Sequence, residues 1–210
     1  MSRVRVRKRG LWVGWGLVLG PPGRDNEAME TLEEKIRRVT AEPVAITDYD
    51  LRWSAVFEEE KARLLGCLPE ELILRIEHFG STAVPGLCAK PIVDIAIEVA
   101  DVDLARELIP AVLEPQGCDC FWRPATGDET GPWFTWCIRR DDTGRRLCHL
   151  HFVAVGGKEK ELRFRDLLRG DRDLAVRYGE LKRRLAEDHA GDRVAYTDAK
   201  TEFITAAFCG

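Results

Sequence analysis

The sequence lacks the short signatures that would name a chemistry outright. It contains no Cys-x-x-Cys pair, which removes the common zinc-ribbon and thioredoxin-type arrangements. It has no Walker A run and no Gly-x-Gly-x-x-Gly, so neither a P-loop kinase nor a dinucleotide enzyme is supported. Gly-x-Ser-x-Gly is absent too, and with it the nucleophile elbow of the serine hydrolases. No internal repeat and no low-complexity linker divides the chain. The apolar run from Leu11 to Gly20 is half the length a membrane-spanning helix needs, which is about 20 residues.

The longest stretch without acid lies at the start. Residues 1–24 hold six basic residues and no Asp or Glu, while the whole chain of 210 residues carries a net charge of −4. The remainder therefore holds 26 basic and 36 acidic groups, a net of −10. An acidic body argues against general nucleic-acid binding, because phosphate backbones are bound by clustered cations. At 45% hydrophobic and 32% charged, the composition is that of one globular domain with an ordinary core.

Residues 1–30 are expected to be a leader or a mis-assigned start, with Met29 as the working initiator. A secretory signal peptide ranks second, since basic residues precede an apolar run. A membrane anchor ranks last. The seven cysteines (Cys67, Cys88, Cys118, Cys120, Cys137, Cys148 and Cys209) are odd in number, and several lie in apolar contexts. They are expected to be reduced, mostly buried thiols of a cytoplasmic protein.

Periodicity predicts helical character from Thr31 to Val39 and a short strand at Pro43–Thr47. A helix is predicted from Leu51 to Leu68 and strands at Leu72–His78 and Pro91–Val99. Pro91–Val99 is apolar almost throughout, as in a strand covered on both faces. Asp103 is expected to cap a helix over Leu104–Leu113. Further strands are expected at Cys118–Trp122, Trp133–Arg139 and Leu147–Val155, with a loop at Arg123–Pro132 and a hairpin turn at Gly144. The chain then reads as helical to its end: Leu174, Tyr178, Leu181 and Leu185 share one face, and Tyr196, Phe203, Ala207 and Phe208 line a last helix. Strands in the middle with helices at both ends indicate an α+β domain.

Gly80-Ser81 follows one predicted strand and Asp94 lies on the next. A glycine lets backbone approach a phosphate closely, serine adds a hydroxyl and an N–H, and a strand carboxylate can hold Mg²⁺. The stretch Ile76-Glu-His-Phe-Gly-Ser-Thr-Ala-Val-Pro-Gly-Leu-Cys-Ala-Lys-Pro-Ile-Val-Asp-Ile95 resembles the signature of the GrpB family. The resemblance extends through His149-Leu-His151, Phe164-Arg-Asp166, Tyr178, Leu181-Lys182, Tyr196 and Lys200, and spans residues 43–208. It implies a nucleotidyltransferase-like mixed β-sheet with flanking helices in a single domain, and a transferase activity on a nucleotide or phosphorylated small molecule.

Nucleotidyl transfer ordinarily places two acids at i and i+2 of one strand, about 7 Å apart on one face, where they share metal ions. Here Ala96 stands at i+2 from Asp94. Glu98 shares the face but lies about 13 Å along the strand, too far for the same ion. His149 and His151 are a second i, i+2 pair, and the resemblance puts their strand beside that of Asp94. The three are expected to hold a divalent metal (Mg or Mn, with Zn possible), or the histidines to move protons or touch phosphate. His78 is placed near the same cleft or bonded to a loop carbonyl with equal weight. Gly80 and Ser81 are expected to cradle phosphate, and Lys90, Lys182 and Lys200 to neutralise it. Arg165 is the remaining cation on the family pattern, with pairing to Asp166 as its plain alternative. Two further functions stay open: a non-catalytic module that binds a nucleotide or a partner, motivated by Ala96, and a histidine-based metal hydrolase on the same scaffold.

Overall fold

The strand Val93–Val99 (β2) is buried along nearly its whole length because it is central. In the computed structural model, which describes residues 30–40, 42, 45–124, 131–189 and 191–209, β2 pairs antiparallel with Ile73–Phe79 (β1) and parallel with Arg146–Val153 (β5). Trp133–Arg140 (β4) and Asp119–Pro124 (β3) extend the sheet, giving the order β1-β2-β5-β4-β3. The single parallel pair makes the sheet mixed, and it is the pair that builds the site.

One face of the sheet is covered by helices α2 (Arg52–Cys67) and α3 (Val102–Leu113). Trp53, Leu64, Ile109 and Leu113 pack there on Ile95, Ile97, Leu150 and Phe152. Truncating a fully buried Ile or Leu in such a core costs about 2–5 kcal/mol. Over the other face come α4 (Glu159–Gly170), α5 (Arg172–Asp188), α6 (Arg193–Asp198) and α7 (Thr201–Ala206). Leu162 of α4 meets Phe79 and Ala96, and Phe164, Leu168 and Tyr178 form a second core with Val84 and Leu87. A short helix, α1 (Leu32–Thr40), reaches β3 through Lys35 and Arg38, the latter paired with Asp119 at 2.8 Å.

The expected α+β architecture, a mixed sheet with flanking helices, is observed, with local differences. Asp101 rather than Asp103 caps α3, accepting from the Leu104 N–H at 2.9 Å. The last predicted helix is broken at Ala199–Lys200 into α6 and α7, so Tyr196 and Phe203 belong to different elements. Gly144 turns the β4–β5 hairpin at φ 81°, where a side chain would be disfavoured. Residues 1–29 of the expected leader at 1–30, residues 43 and 44 of the first predicted strand, and 125–130 of the predicted loop lie outside the described residues. Of that first strand, Thr47 makes a two-bond bridge to Ala89.

The cysteine expectation needs correction. Cys120 and Cys137 stand directly opposite each other on β3 and β4 and form a disulfide, with Cα atoms 4.1 Å apart. The cause is register: facing residues of an antiparallel pair bring their Cβ atoms together. Cys88, Cys118 and Cys148 are free and buried, Cys67 is partly buried and Cys209 is exposed. Among the described residues, no helix is long and apolar enough to cross a membrane.

Candidate functional site

The parallel β2–β5 register sets Asp94 beside His149 and Ala96 beside His151. Alternation then turns Asp94, His149 and His151 to one face. His149 Nδ1 lies 3.1 Å from Asp94 Oδ1, and His151 Nε2 lies 3.7 Å from the same oxygen. One ligand atom from each residue falls within 4.8 Å of the other two.

His149 is held on both sides. Its Nε2 is 3.2 Å from Nη1 of Arg146, a group that can only donate. Nε2 therefore accepts, and Nδ1 carries the proton that bonds Asp94. Arg146 is itself buried and fixed by Glu42 at 2.6 Å and by the Val39 carbonyl. Burial alone would raise the Asp94 carboxyl, but the hydrogen bond from His149, with the His151 ring close by, holds it well below the usual carboxylate range.

His151 has the opposite surroundings. It is stacked on Phe134 at 5.7 Å and meets the edge of Phe79 at 5.0 Å. Burial pushes it down to about 4, against the pull of Asp94, so it is neutral at pH 7. Among the described residues neither of its ring nitrogens has a hydrogen-bond partner. A buried imidazole with two unpartnered nitrogens is costly and uncommon.

Gly80 leaves β1 at φ 72° and ψ −172°, a region only glycine adopts freely. A Cβ there would lie 2.8 Å from Asp94 Oδ2. The glycine is thus required first by the carboxylate it rests on. Ala96, at the position where a second acid would stand, is 2% exposed and sealed by Phe79 and Leu162. Glu98 is engaged elsewhere, accepting from the Gly156 N–H at 2.9 Å.

Above Asp94 and His149 lies a cleft of about 880 Å³, which Ser81, Lys90, Lys182, Tyr196 and Lys200 also border. The Lys90 and Lys200 ammonium groups lie 4.2 and 4.4 Å from the Tyr196 ring centre. Lys182 is 2% exposed and donates to the Cys88 carbonyl. Burial pushes it down to about 7, with Lys200 and Arg183 adding in the same direction. Seven of the eight expected site residues thus line the cleft or meet directly below it; Gly80 supports Asp94 from beneath the turn.

The family model described as GrpB protein matches residues 43–209. The chain belongs to the GrpB family. It is similar to a UPF0157 protein of Streptomyces coelicolor, 34% identical over 172 residues that cover 78% of this chain and 81% of the other. A UPF0157 protein of Halalkalibacterium halodurans is 33% identical over 186 residues, covering 87% and 89%. Among solved structures, the conserved protein GrpB from Enterococcus faecalis is similar at a TM-score of 0.65 and 30% identity, covering 78% of this chain and 94% of that one.

In this GrpB-family chain two residues of the motif-bearing segments stand away from the cleft. His78 faces the opposite side of the sheet, stacked on Phe57 at 5.1 Å and 2.9 Å from the Thr82 hydroxyl. Arg165 pairs with Asp166 and Glu77, each at 2.8 Å, and donates to the His78 carbonyl. Sequence reasoning missed Arg146, because strict alternation sets it with Cys148 on the other face. The β4–β5 register shifts between Arg139 and Arg140, opposite Arg146, so alternation does not hold there. It also missed Arg123 and Trp136 at the cleft wall, where the guanidinium lies 5.3 Å from the indole centre and the indole meets His149 at 5.1 Å.

Proposed function

We propose that the cleft binds a nucleotide or phosphorylated small molecule together with a divalent cation, and that its activity is nucleotidyl transfer. The observation that carries this is the convergence of Asp94, His149 and His151 within 4.8 Å at the floor of a cleft bordered by three lysines. The donor set fits a cation: Asp94 is held ionised, and His151 offers a neutral imidazole whose nitrogens have no hydrogen-bond partner among the described residues. Two imidazoles and one carboxylate favour Zn, Mn or Fe over Mg.

His149 contributes differently from His151. As folded, its Nδ1 proton orients the Asp94 carboxylate, and it becomes a third ligand only where Arg146 releases Nε2. Until then it is placed to hold or move a proton. Ser81 supplies an N–H and a hydroxyl to a phosphate at the turn, and Gly80 keeps that turn close to Asp94 without a side chain between. Lys90, Lys182 and Lys200 offset phosphate charge. A bound cation would polarise a phosphoryl oxygen and neutralise charge developing on it.

A thermal-shift screen with nucleotides and Mg²⁺, Mn²⁺ or Zn²⁺, followed by a product assay, tests this. The expected result is a rise in melting temperature that Asp94→Ala removes, with a nucleotidyl product formed. No shift with any pair counts against the proposal. A second reading has its own support in Ala96, whose packing under α4 leaves no room for a second acid: the domain binds the ligand and turns nothing over. Binding without product under all three cations favours that reading.

A further inference from the structure

A second cavity opens on the far side of the Gly80-Ser81 turn, between β1, α4, α5 and α7. It measures about 280 Å³ and is walled by Phe79, Phe164, Leu168, Tyr178 and Ile204. Ser81 borders both this chamber and the phosphate cleft, and the α6–α7 junction does the same, with Lys200 on the cleft and Thr201 on the chamber. The two spaces therefore adjoin along two walls.

Their chemistry differs sharply. The cleft is rich in cations. The chamber is lined mostly by rings and aliphatic groups that are packed in place: Phe164 meets Tyr178 edge to face at 5.1 Å, and Tyr178 stacks on Phe203 at 5.3 Å. The guanidinium of Arg165 at its edge is committed to Asp166, Glu77 and the His78 carbonyl. Lys160, Glu161 and the hydroxyls of Ser81 and Thr201 also border the chamber. Apolar walls with a few polar groups at the edge suit a flat ring, not a phosphate. At about 280 Å³ the space can hold one ring system.

We infer that this chamber seats the heteroaromatic base of the ligand whose phosphates lie across Ser81 in the cleft. The inference rests on the phosphate assignment of the cleft and adds the place and the class of the second half of the ligand. The base enters between Phe79 and Tyr178, the sugar passes over Ser81, and the phosphates face Asp94 and the lysines.

The test is titration calorimetry of the full chain with Mn²⁺ present, using tripolyphosphate, ATP and adenosine as probes. Two variants fill the chamber: Ile204→Trp from the wall and Thr201→Trp from the exposed rim, the second guarding against misfolding of the first. Wild type should bind ATP at least about tenfold tighter than tripolyphosphate. Both folded variants should lose that ratio and keep tripolyphosphate affinity. Equal affinity for the two probes in wild type, or a ratio that survives in a folded variant, overturns the inference. Adenosine separates the two claims. If tripolyphosphate fails to bind but adenosine binds wild type and not the variants, the chamber assignment stands and the phosphate assignment falls. If none of the probes binds, both fall.

Discussion

Replacing Gly80 by Ala isolates the physical reason for the glycine in the turn. The backbone there, at φ 72° and ψ −172°, costs a residue with a Cβ about 1–3 kcal/mol. The new methyl would also lie 2.8 Å from Asp94 Oδ2 and 3.3 Å from its Cβ. Something must give, and the carboxylate is what can swing, breaking its 3.1 Å bond to His149. A hydrogen bond to a charged group is worth about 1.5–3 kcal/mol. Together these predict a loss of about 3–5 kcal/mol, and for a chain of this size a fall in melting temperature on the order of 6–20 °C. Gly86 is the control: its φ is also positive, 79°, but a Cβ there meets nothing within 4 Å among the described residues. Gly86→Ala should cost only the backbone component, about 1 kcal/mol. Urea unfolding of Gly80→Ala, Asp94→Ala, the double variant and Gly86→Ala measures all of this. The Asp94→Ala background should restore at least about 1 kcal/mol of what Gly80→Ala loses, since neighbours in contact are coupled. Equal losses for Gly80→Ala and Gly86→Ala, with no coupling to Asp94, would refute the steric argument.

Three further outcomes follow from groups away from the cleft floor. Burial lowers His78 from the ordinary value of 6.5 to about 4, so the unfolded chain binds more protons between those values. Stability should therefore fall as pH drops from 6.5 toward 4, by up to about 3 kcal/mol, and His78→Gln should flatten the slope of urea midpoint against pH. The Cys120–Cys137 disulfide closes a loop of sequence separation 17, worth about 3 kcal/mol on chain-entropy grounds. Unfolded, unreduced protein should titrate five thiols instead of seven, and reductant should lower the melting temperature. Lys182 is nearly fully buried and its ammonium is destabilised there; Lys182→Met should raise stability at pH 7 by about 1 kcal/mol or more while weakening binding of a phosphorylated ligand.

What could be read in advance was whatever depends on period and motif. Alternation along Pro91–Val99 and Leu147–Val155 sufficed to put Asp94 and the two histidines each on one face, and the family resemblance made their strands neighbours. The spacing of Glu98 from Asp94 already removed it as a co-ligand, and the structure turns it to the Gly156 N–H. Features set by register were hidden. The cysteine pair depends on Cys120 facing Cys137 and not a residue to either side. His78 is turned away because Phe79, its neighbour, is the residue that faces Asp94. Arg146 reaches His149 only through a register shift. The apolar chamber is assembled from β1 and three helices far apart in sequence, and no local pattern encodes such a space.

The most direct test is calorimetric titration of Mn²⁺ and Zn²⁺ into the metal-free chain and into Asp94→Ala, His151→Ala and His149→Ala. One ion should bind per chain, lost in Asp94→Ala and His151→Ala and weakened less in His149→Ala, whose ring is already held between Arg146 and Asp94. Binding that is the same in wild type and in Asp94→Ala and His151→Ala, or no binding at all, would contradict this.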